Sequence, residues 1–287
     1  MSDKDSNLRK NIKKAASAVD AADALLITAG AGMGVDSGLP DFRGTKGFWN
    51  EYPVIAKLGY SFSQMANPGW FNREPRLAWA FYGHRLDLYR KTDPHAGFQR
   101  LLEIGKKKSQ GYFVSTSNVD GHFQKAGFDH DLVEECHGSI HHFQCSKPCS
   151  DNIWEAGGNE ILVDADTFRA TGDMPHCPNC GALARPNILM FGDGYWVERR
   201  VVEQEQRLFA WIDSLTNSRF VIIEIGAGGS VTTIRDHSEE YAHLNNATLI
   251  RINPREYRVP NQRHISLPLG GLEAINAICK SMQSMTL

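Results

Sequence analysis

Residues 30–44 read GAGMGVDSGLPDFRG, and they follow directly on the short apolar run Ala24-Leu25-Leu26-Ile27-Thr28. An apolar run of this length, without alternation, suits a strand covered on both faces, as in a parallel sheet. Glycines stand at positions 30, 32, 34, 38, 44 and 47. After such a strand they let the chain turn tightly and bring backbone N–H groups up to a pyrophosphate. The spacing Gly30-x-Gly32-x-Gly34 differs from the usual G-x-G-x-x-G fingerprint, and no acidic residue stands out ~20 positions further on. By itself the loop points to a nucleotide without saying which.

The pattern of the run at 24–28 recurs along the chain. Further apolar runs lie at 112–115, 220–225 and 248–252, each ending in small or polar residues: TSNVD, GAGGS and NPRE. Helical spacing precedes and separates them, at 8–23 (Ile12, Ala15, Ala16 and Val19 on one side), 94–107 and 196–214. Alternation of this kind predicts an α/β fold with a Rossmann-like parallel sheet. In such a sheet ligands bind outside the carboxyl ends of the strands, where the quoted loops would lie. Two stretches break the alternation. Residues 45–92 are rich in Trp, Tyr, Phe and Pro, and residues 141–184 carry closely spaced cysteines. The expected organisation is a nucleotide-binding domain from 8–44, 93–140 and 185–287, with a smaller domain formed by a helical insertion (45–92) and a zinc-binding insertion (141–184).

Composition narrows the class. The 287 residues are 41% hydrophobic and 22% charged, with a net charge of −2. That is too apolar and too nearly neutral for a disordered chain. It lacks the excess of Lys and Arg expected of a protein that neutralises phosphates, so no nucleic-acid partner is expected. No run reaches the ~18 apolar residues of a membrane span. The N-terminal residues carry no apolar stretch followed by a small-residue cleavage site, so a cytoplasmic, reducing location is expected. There, cysteines serve more often as ligands than in disulfides. Of the six, Cys145-x3-Cys149 and Cys177-x2-Cys180 form two close pairs, a pattern that can place four thiolates around a tetrahedral zinc ion. Cys136 and Cys279 read as small buried residues.

The longer string is more specific than its glycines. GAGMGVDSGLPDFRG closely resembles the signature of the sirtuin family of NAD-dependent deacylases, and the likeness continues in order. TSNVDGHFQKAG at 116–127 resembles the family's Thr-Gln-Asn-Ile-Asp segment, and HGS at 137–139 its His-Gly. The cysteine pairs sit where the family's zinc module sits. RPNILMFGD at 185–193, GAGGSV at 226–231 and Ile252-Asn253 complete the series. The resemblance implies NAD as cofactor, zinc as structural metal, and an acyl-lysine protein or peptide as substrate, with nicotinamide and an acyl-ADP-ribose as products. It implies His137 as general base, a role suited to an imidazole that titrates near neutrality. Asn118 and Asp120 would hold the ribose and frame the nicotinamide pocket. Asp41, Phe42 and Arg43 would form a cofactor loop supported by Ser37. Gly30, Ala31 and Gly32 would cradle phosphates, and Gly226, Ser230, Asn253 and Leu269 would line the adenosine side.

A second feature concerns the acyl group. Tyr82 and Arg85 stand three apart and so share a helix face. A guanidinium fork beside a phenol hydroxyl is a good receptor for a carboxylate. The pair resembles the Tyr-x-x-Arg of class III sirtuins, which remove malonyl, succinyl and glutaryl groups. Five positions depart from the family pattern: Gly34, Ser117, Asp193, Gly228 and Arg255. Each substitution removes or shortens a side chain expected to bond NAD or frame its pocket. Protein ADP-ribosyl transfer, NAD hydrolysis and non-enzymatic sensing of NAD or ADP-ribose therefore stand beside deacylation as readings.

Overall fold

The computed structural model describes residues 3–40, 52–57 and 59–285. β1 (Ala24–Ala29) is buried at every position, as is β9 (Phe220–Ile225). Between and beyond them lie β2 (Tyr112–Thr116), β3 (Val133–Glu135), β10 (Thr248–Ile252) and β11 (Ile265–Leu267). The six form one sheet in the order β11-β10-β9-β1-β2-β3, with every pairing parallel. Side chains alternate across it with the two-residue period of a strand. Leu25, Ile27, Val221 and Ile223 enter one hydrophobic cluster with Ala15, Ala16 and Val19 of the helix Asp3–Ala21. Leu26 and Ile222 enter the cluster on the other face with Leu208 and Tyr241. Helices therefore cover both faces, which explains why these strands read as nearly continuous apolar runs.

From β1 the chain leaves toward β2 on one side and reaches β9 on the other. The sheet's topological switch point lies between β1 and β9, and crevices for ligands form at such points. Gly32 and Gly226 meet there.

A further cluster gathers residues from both stretches that break the alternation. Tyr52, Trp70, Phe71, Trp79 and Phe81 pack with Ile140, Phe143, Ala170 and Ala184. Helices span Pro53–Lys57, Phe62–Met65, Trp70–Arg73 and Pro75–Lys91. Opposite them, β4 (Gly138–Cys145) pairs antiparallel with β5 (Ile153–Glu155) and β8 (Ala184–Ile188), and β6 (Leu162–Asp164) pairs with β7 (Arg169–Thr171). Trp79 Nε1 donates to Ala184 O at 3.1 Å and Arg76 Nη1 to Ala170 O at 2.7 Å, joining helix to strands. The three-residue strands β3, β5, β6, β7 and β11 carry no periodicity of their own, because a strand that short is specified by its partner.

Candidate active site

The loop after β1 is held against the loop after β9 by its own backbone. Gly30 N donates to Ile225 O at 2.9 Å, and Gly32 N donates to Gly226 O at 3.1 Å. Two of the three residues expected to cradle phosphates thus have their N–H groups engaged, and they contribute close approach instead. Ala31 borders the larger of two cavities that open here. The smaller, of about 370 Å³, is lined by Gly32, Asp36, Gly226, Ser230, Asn253 and Glu256, among others. The larger, of about 820 Å³, is lined by Ala31, Tyr82, Arg85, Asn118, Asp120 and His137, among others. Ser230 borders both, so together they offer one path across the crevice.

His137 sits in the turn between β3 and β4. Gly138 behind it has φ +79° and presses on Asn187, so that a Cβ there would lie 2.1 Å from the Asn187 carbonyl oxygen. Leu189 N donates to His137 O at 3.0 Å and fixes the turn from the other side. His137 Nε2 lies 3.4 Å from Thr233 Oγ1. Burial lowers the His137 pKa below its ordinary value; the charge of His237 acts in the same direction, and a backbone hydrogen bond with Ser117 opposes both. The imidazole is therefore neutral and able to accept a proton at neutral pH.

Around it, Asn118 N donates to Thr116 Oγ1 at 3.1 Å. Asp120 Oδ1 accepts from His122 N at 2.9 Å, and its backbone oxygen accepts from His141 Nε2 at 2.8 Å. Ser37 Oγ accepts from His95 N at 2.9 Å and so braces the loop after β1. Asp36 Oδ2 accepts from Leu272 N at 2.8 Å, tying the same loop to the last helix, Gly271–Gln283.

Into the larger cavity the helix Pro75–Lys91 presents Tyr82, Arg85 and Tyr89. Arg85 Nε and Nη2 donate to Tyr89 Oη at 3.1 and 2.9 Å. Tyr82 Oη is buried and has no hydrogen-bond partner among the described residues. Its pKa is pushed up to about 12 by burial, with Arg85 opposing. A buried phenol without a partner is costly, so an oxygen-bearing group entering this end would find a donor waiting.

The four paired cysteines converge. Their Sγ atoms all lie within 4.8 Å of one another, with Cys145–Cys180 and Cys149–Cys177 each at 3.7 Å. Four thiols at this spacing fit a tetrahedral zinc ion. The site lies on the rim of the small sheet, and none of its cysteines lines either cavity.

A model of the Sir2 family matches residues 30–215. The chain belongs to the Sir2 family. It is 28% identical over 256 residues to an NAD-dependent protein deacylase of Aeropyrum pernix, covering 88% of this chain and 90% of that one. It is 31% identical over 206 residues to an NAD-dependent protein deacylase of Thermococcus kodakarensis, covering 70% and 69%. A crystal structure of a Sir2 homolog–NAD complex matches the fold with TM-score 0.69 at 22% identity, covering 95% of this chain and 94% of that one.

Several sequence expectations for this sirtuin change in the structure. Arg255, one of the departures from the family pattern, lines the smaller cavity. Beside it on the same wall stands Glu256, whose two carboxylate oxygens accept from Gly229 N at 3.1 Å. Leu269 packs against the main core, and the cavity wall is formed by Gly270 and Gly271. Asp193 forms a two-pronged ion pair with Arg185 at 2.7 and 2.9 Å, both side chains buried, and it also borders the larger cavity. A Cβ at Gly34 would lie 3.0 Å from Leu39 Cδ1, so a serine there would require that side chain to shift slightly. Tyr89 and Thr233 went unnoticed, since neither belongs to a motif and each reaches the site only through its helix. Asp41, Phe42 and Arg43 lie outside the described residues. Cys136 is partly buried, and burial pushes its thiol well above the ordinary range. Among the described residues, no helix is long and apolar enough to cross a membrane.

Proposed function

We propose that this sirtuin is an NAD-dependent protein-lysine deacylase that accepts acyl groups ending in a carboxylate. The observation that carries the acyl assignment is the placement of Tyr82 and Arg85 on the wall of the cavity that His137 also lines. An acyl chain reaching inward past His137 would meet a guanidinium fork and an unpartnered phenol, donors matched to a carboxylate.

The crevice fits NAD. Two joined cavities meet at the switch point, where glycine backbones leave room for a ligand, and Ala31, Ser230, Asn253 and Glu256 would hold it. Bound NAD supplies a ribose whose bond to nicotinamide can break and which then takes over the acyl group. His137 accepts a proton from a sugar hydroxyl, which its neutral ring permits. Asn118 and Asp120, buried on the loop after β2, orient the sugar. Apolar walls from Leu39, Phe62, Ile188 and Met190 keep water from the reacting atoms. Positioning and charge stabilisation provide most of the acceleration in such a site. The four cysteines would hold zinc as a structural staple.

The test is incubation with NAD and acetyl-, malonyl- and succinyl-lysine peptides, with products followed by mass spectrometry. The expected result is peptide-dependent acyl-ADP-ribose, formed faster from the acidic acyl peptides. Free ADP-ribose formed without peptide would replace this reading with NAD hydrolysis, and a mass gain on protein with ADP-ribosyl transfer. Tight NAD binding without turnover would leave a sensor.

A further inference from the structure

The helix Pro75–Lys91 carries a third side chain on the wall that holds Tyr82 and Arg85. Tyr89 stands four residues after Arg85, one turn along the same face, and lies outside the Tyr-x-x-Arg pattern. We propose that Tyr89 is a positioning residue for acyl selection: its phenol oxygen holds the Nε edge of the Arg85 guanidinium, so that the group meets an acyl carboxylate in one fixed orientation. The inference rests on the reading of Tyr82 and Arg85 as the receptor for an acidic acyl group.

Three observations support it. First, the bond is doubled and its direction is unambiguous. Arg85 Nε and Nη2 both donate to Tyr89 Oη, at 3.1 and 2.9 Å, within the ordinary range. A guanidinium only donates, so the phenol oxygen is the acceptor. Two bonds from one rigid, planar fork fix its plane, which a single contact would leave able to turn. A carboxylate would then be met by the far edge, formed by Nη1 and Nη2. Second, the cation is supported by uncharged groups. Its Cζ lies 5.4 Å from the ring centroids of Phe81 and Tyr89, 5.7 Å from that of Tyr82 and 5.8 Å from that of Phe62. Ring faces stabilise a buried cation without cancelling its charge. An acidic residue in place of Tyr89 would orient the fork as well, but it would repel the substrate's carboxylate. Third, Tyr89 is itself held. It is 5% exposed and sits near the end of its helix. There Arg90 Nη1 and Nη2 donate to Asn159 O and Gly157 O at 2.7 and 2.6 Å, and Lys125 Nζ donates to Arg90 O at 2.9 Å. Midway along the helix, Gly83 presses on Ile161, where a Cβ would lie 2.4 Å from Ile161 Cβ. A helix fixed at its middle and its end keeps the phenol in place.

A long side chain ordinarily loses rotamer freedom when it binds a ligand. For Arg85 that loss is already taken in folding, through Tyr89. The benefit falls on binding of the acyl group, not on the chemistry at the ribose, so it should appear in KM.

The experiment compares succinyl- and acetyl-lysine peptides of one sequence as substrates of the full-length protein with NAD. Tyr89→Phe removes one oxygen and keeps the ring. The succinyl-to-acetyl ratio of kcat/KM should fall about threefold to tenfold, mainly through a higher KM for the succinyl peptide. In the Arg85→Met background the same change should leave the ratio where it stands, since no fork remains to be held. The NMR signal of the Arg85 Nε–H, assigned by its loss in Arg85→Met, should exchange with water several-fold faster in Tyr89→Phe. A ratio unchanged or raised by Tyr89→Phe, the same loss in both backgrounds, or an unchanged exchange rate overturns the proposal. An Arg85→Met protein that keeps the wild-type ratio overturns the acidic-acyl reading instead, a result that does not depend on Tyr89.

Discussion

Gly32 and Gly226 are pressed together across the switch point: a Cβ on Gly226 would lie 2.4 Å from Gly32 Cα, and one on Gly32 would lie 2.6 Å from Gly226 Cα. No side chain fits there, and Gly226 has φ +65°, a conformation that L residues adopt only at a cost. Gly226→Ala is expected to destabilise the protein by about 2–3 kcal/mol, through strain plus backbone displacement. Because the crevice would open, NAD affinity should fall at least about tenfold, a loss of ~1.4 kcal/mol. Chemical denaturation and calorimetric NAD titration check both. A variant as stable and as tightly binding as the parent would show that the close approach is dispensable.

Arg85 separates acyl selection from the rest of the reaction. Its guanidinium is oriented by Tyr89 and surrounded by the rings of Phe81 and Tyr89, whose centroids lie 5.4 Å away. Arg85→Met keeps much of that packing and removes the charge. Activity on succinyl-lysine should drop about 10- to 100-fold, the worth of a charged hydrogen bond, while activity on acetyl-lysine changes little. Equal losses on both substrates would make Arg85 structural.

Glu134 should couple folding to pH. Its carboxyl is buried between β2 and β3 and bonded by Ser115 Oγ. Burial raises its pKa from 4.5 to about 7. The folded chain thus holds the proton more tightly than the unfolded one. The stabilisation is complete below pH 4.5, declines as the unfolded chain ionises, and is lost once pH passes the folded value of about 7. Glu134→Gln cannot ionise, so wild type should lose roughly 2–3 kcal/mol relative to it between pH 4 and pH 8. Urea unfolding at the two pH values measures the difference, and a constant difference would refute the coupling.

The cysteine cluster predicts about one zinc per chain by metal analysis. Removing the metal with a chelator should lower the melting temperature, and Cys177→Ser should lose the zinc. Because the cysteines line neither cavity, NAD binding at low temperature should weaken far less than stability. Zinc well below one per chain, with stability unchanged by chelator, would mean the thiols stand without a metal.

How much of this was legible beforehand follows the range over which each signal acts. The strands at 24–29, 220–225 and 248–252 were readable because burial on both faces writes a nearly continuous apolar run into the chain, and the two charges that break it, Glu224 and Arg251, pair with each other. The cysteine pairs and the β1 loop were readable because a tetrahedral metal and a tight turn each impose local spacing. Glu256 joins Arg255 on the wall of the smaller cavity, a role no motif flagged, since only the folded backbone shows which side chain reaches Gly229. Asp193 borders the larger cavity, but its pairing with Arg185, eight residues earlier, could not be read from the motif because the chain meets itself there only through the small sheet. Leu269, matched to the adenosine side, is partly buried against the core and lines neither cavity.

The sequence by itself determined the class of sheet, the crevice that would hold a nucleotide, the four cysteines and the residues whose chemistry matters, because each depends on residue type and near spacing. Only the tertiary structure decided which of those residues meet. It placed Tyr82, Arg85 and His137 on one cavity wall, engaged the N–H groups of Gly30 and Gly32 with the neighbouring strand, and brought Thr233 to His137 across 96 positions of chain. Contacts between distant residues are set by how helices and strands pack, and that packing is a property of the whole chain.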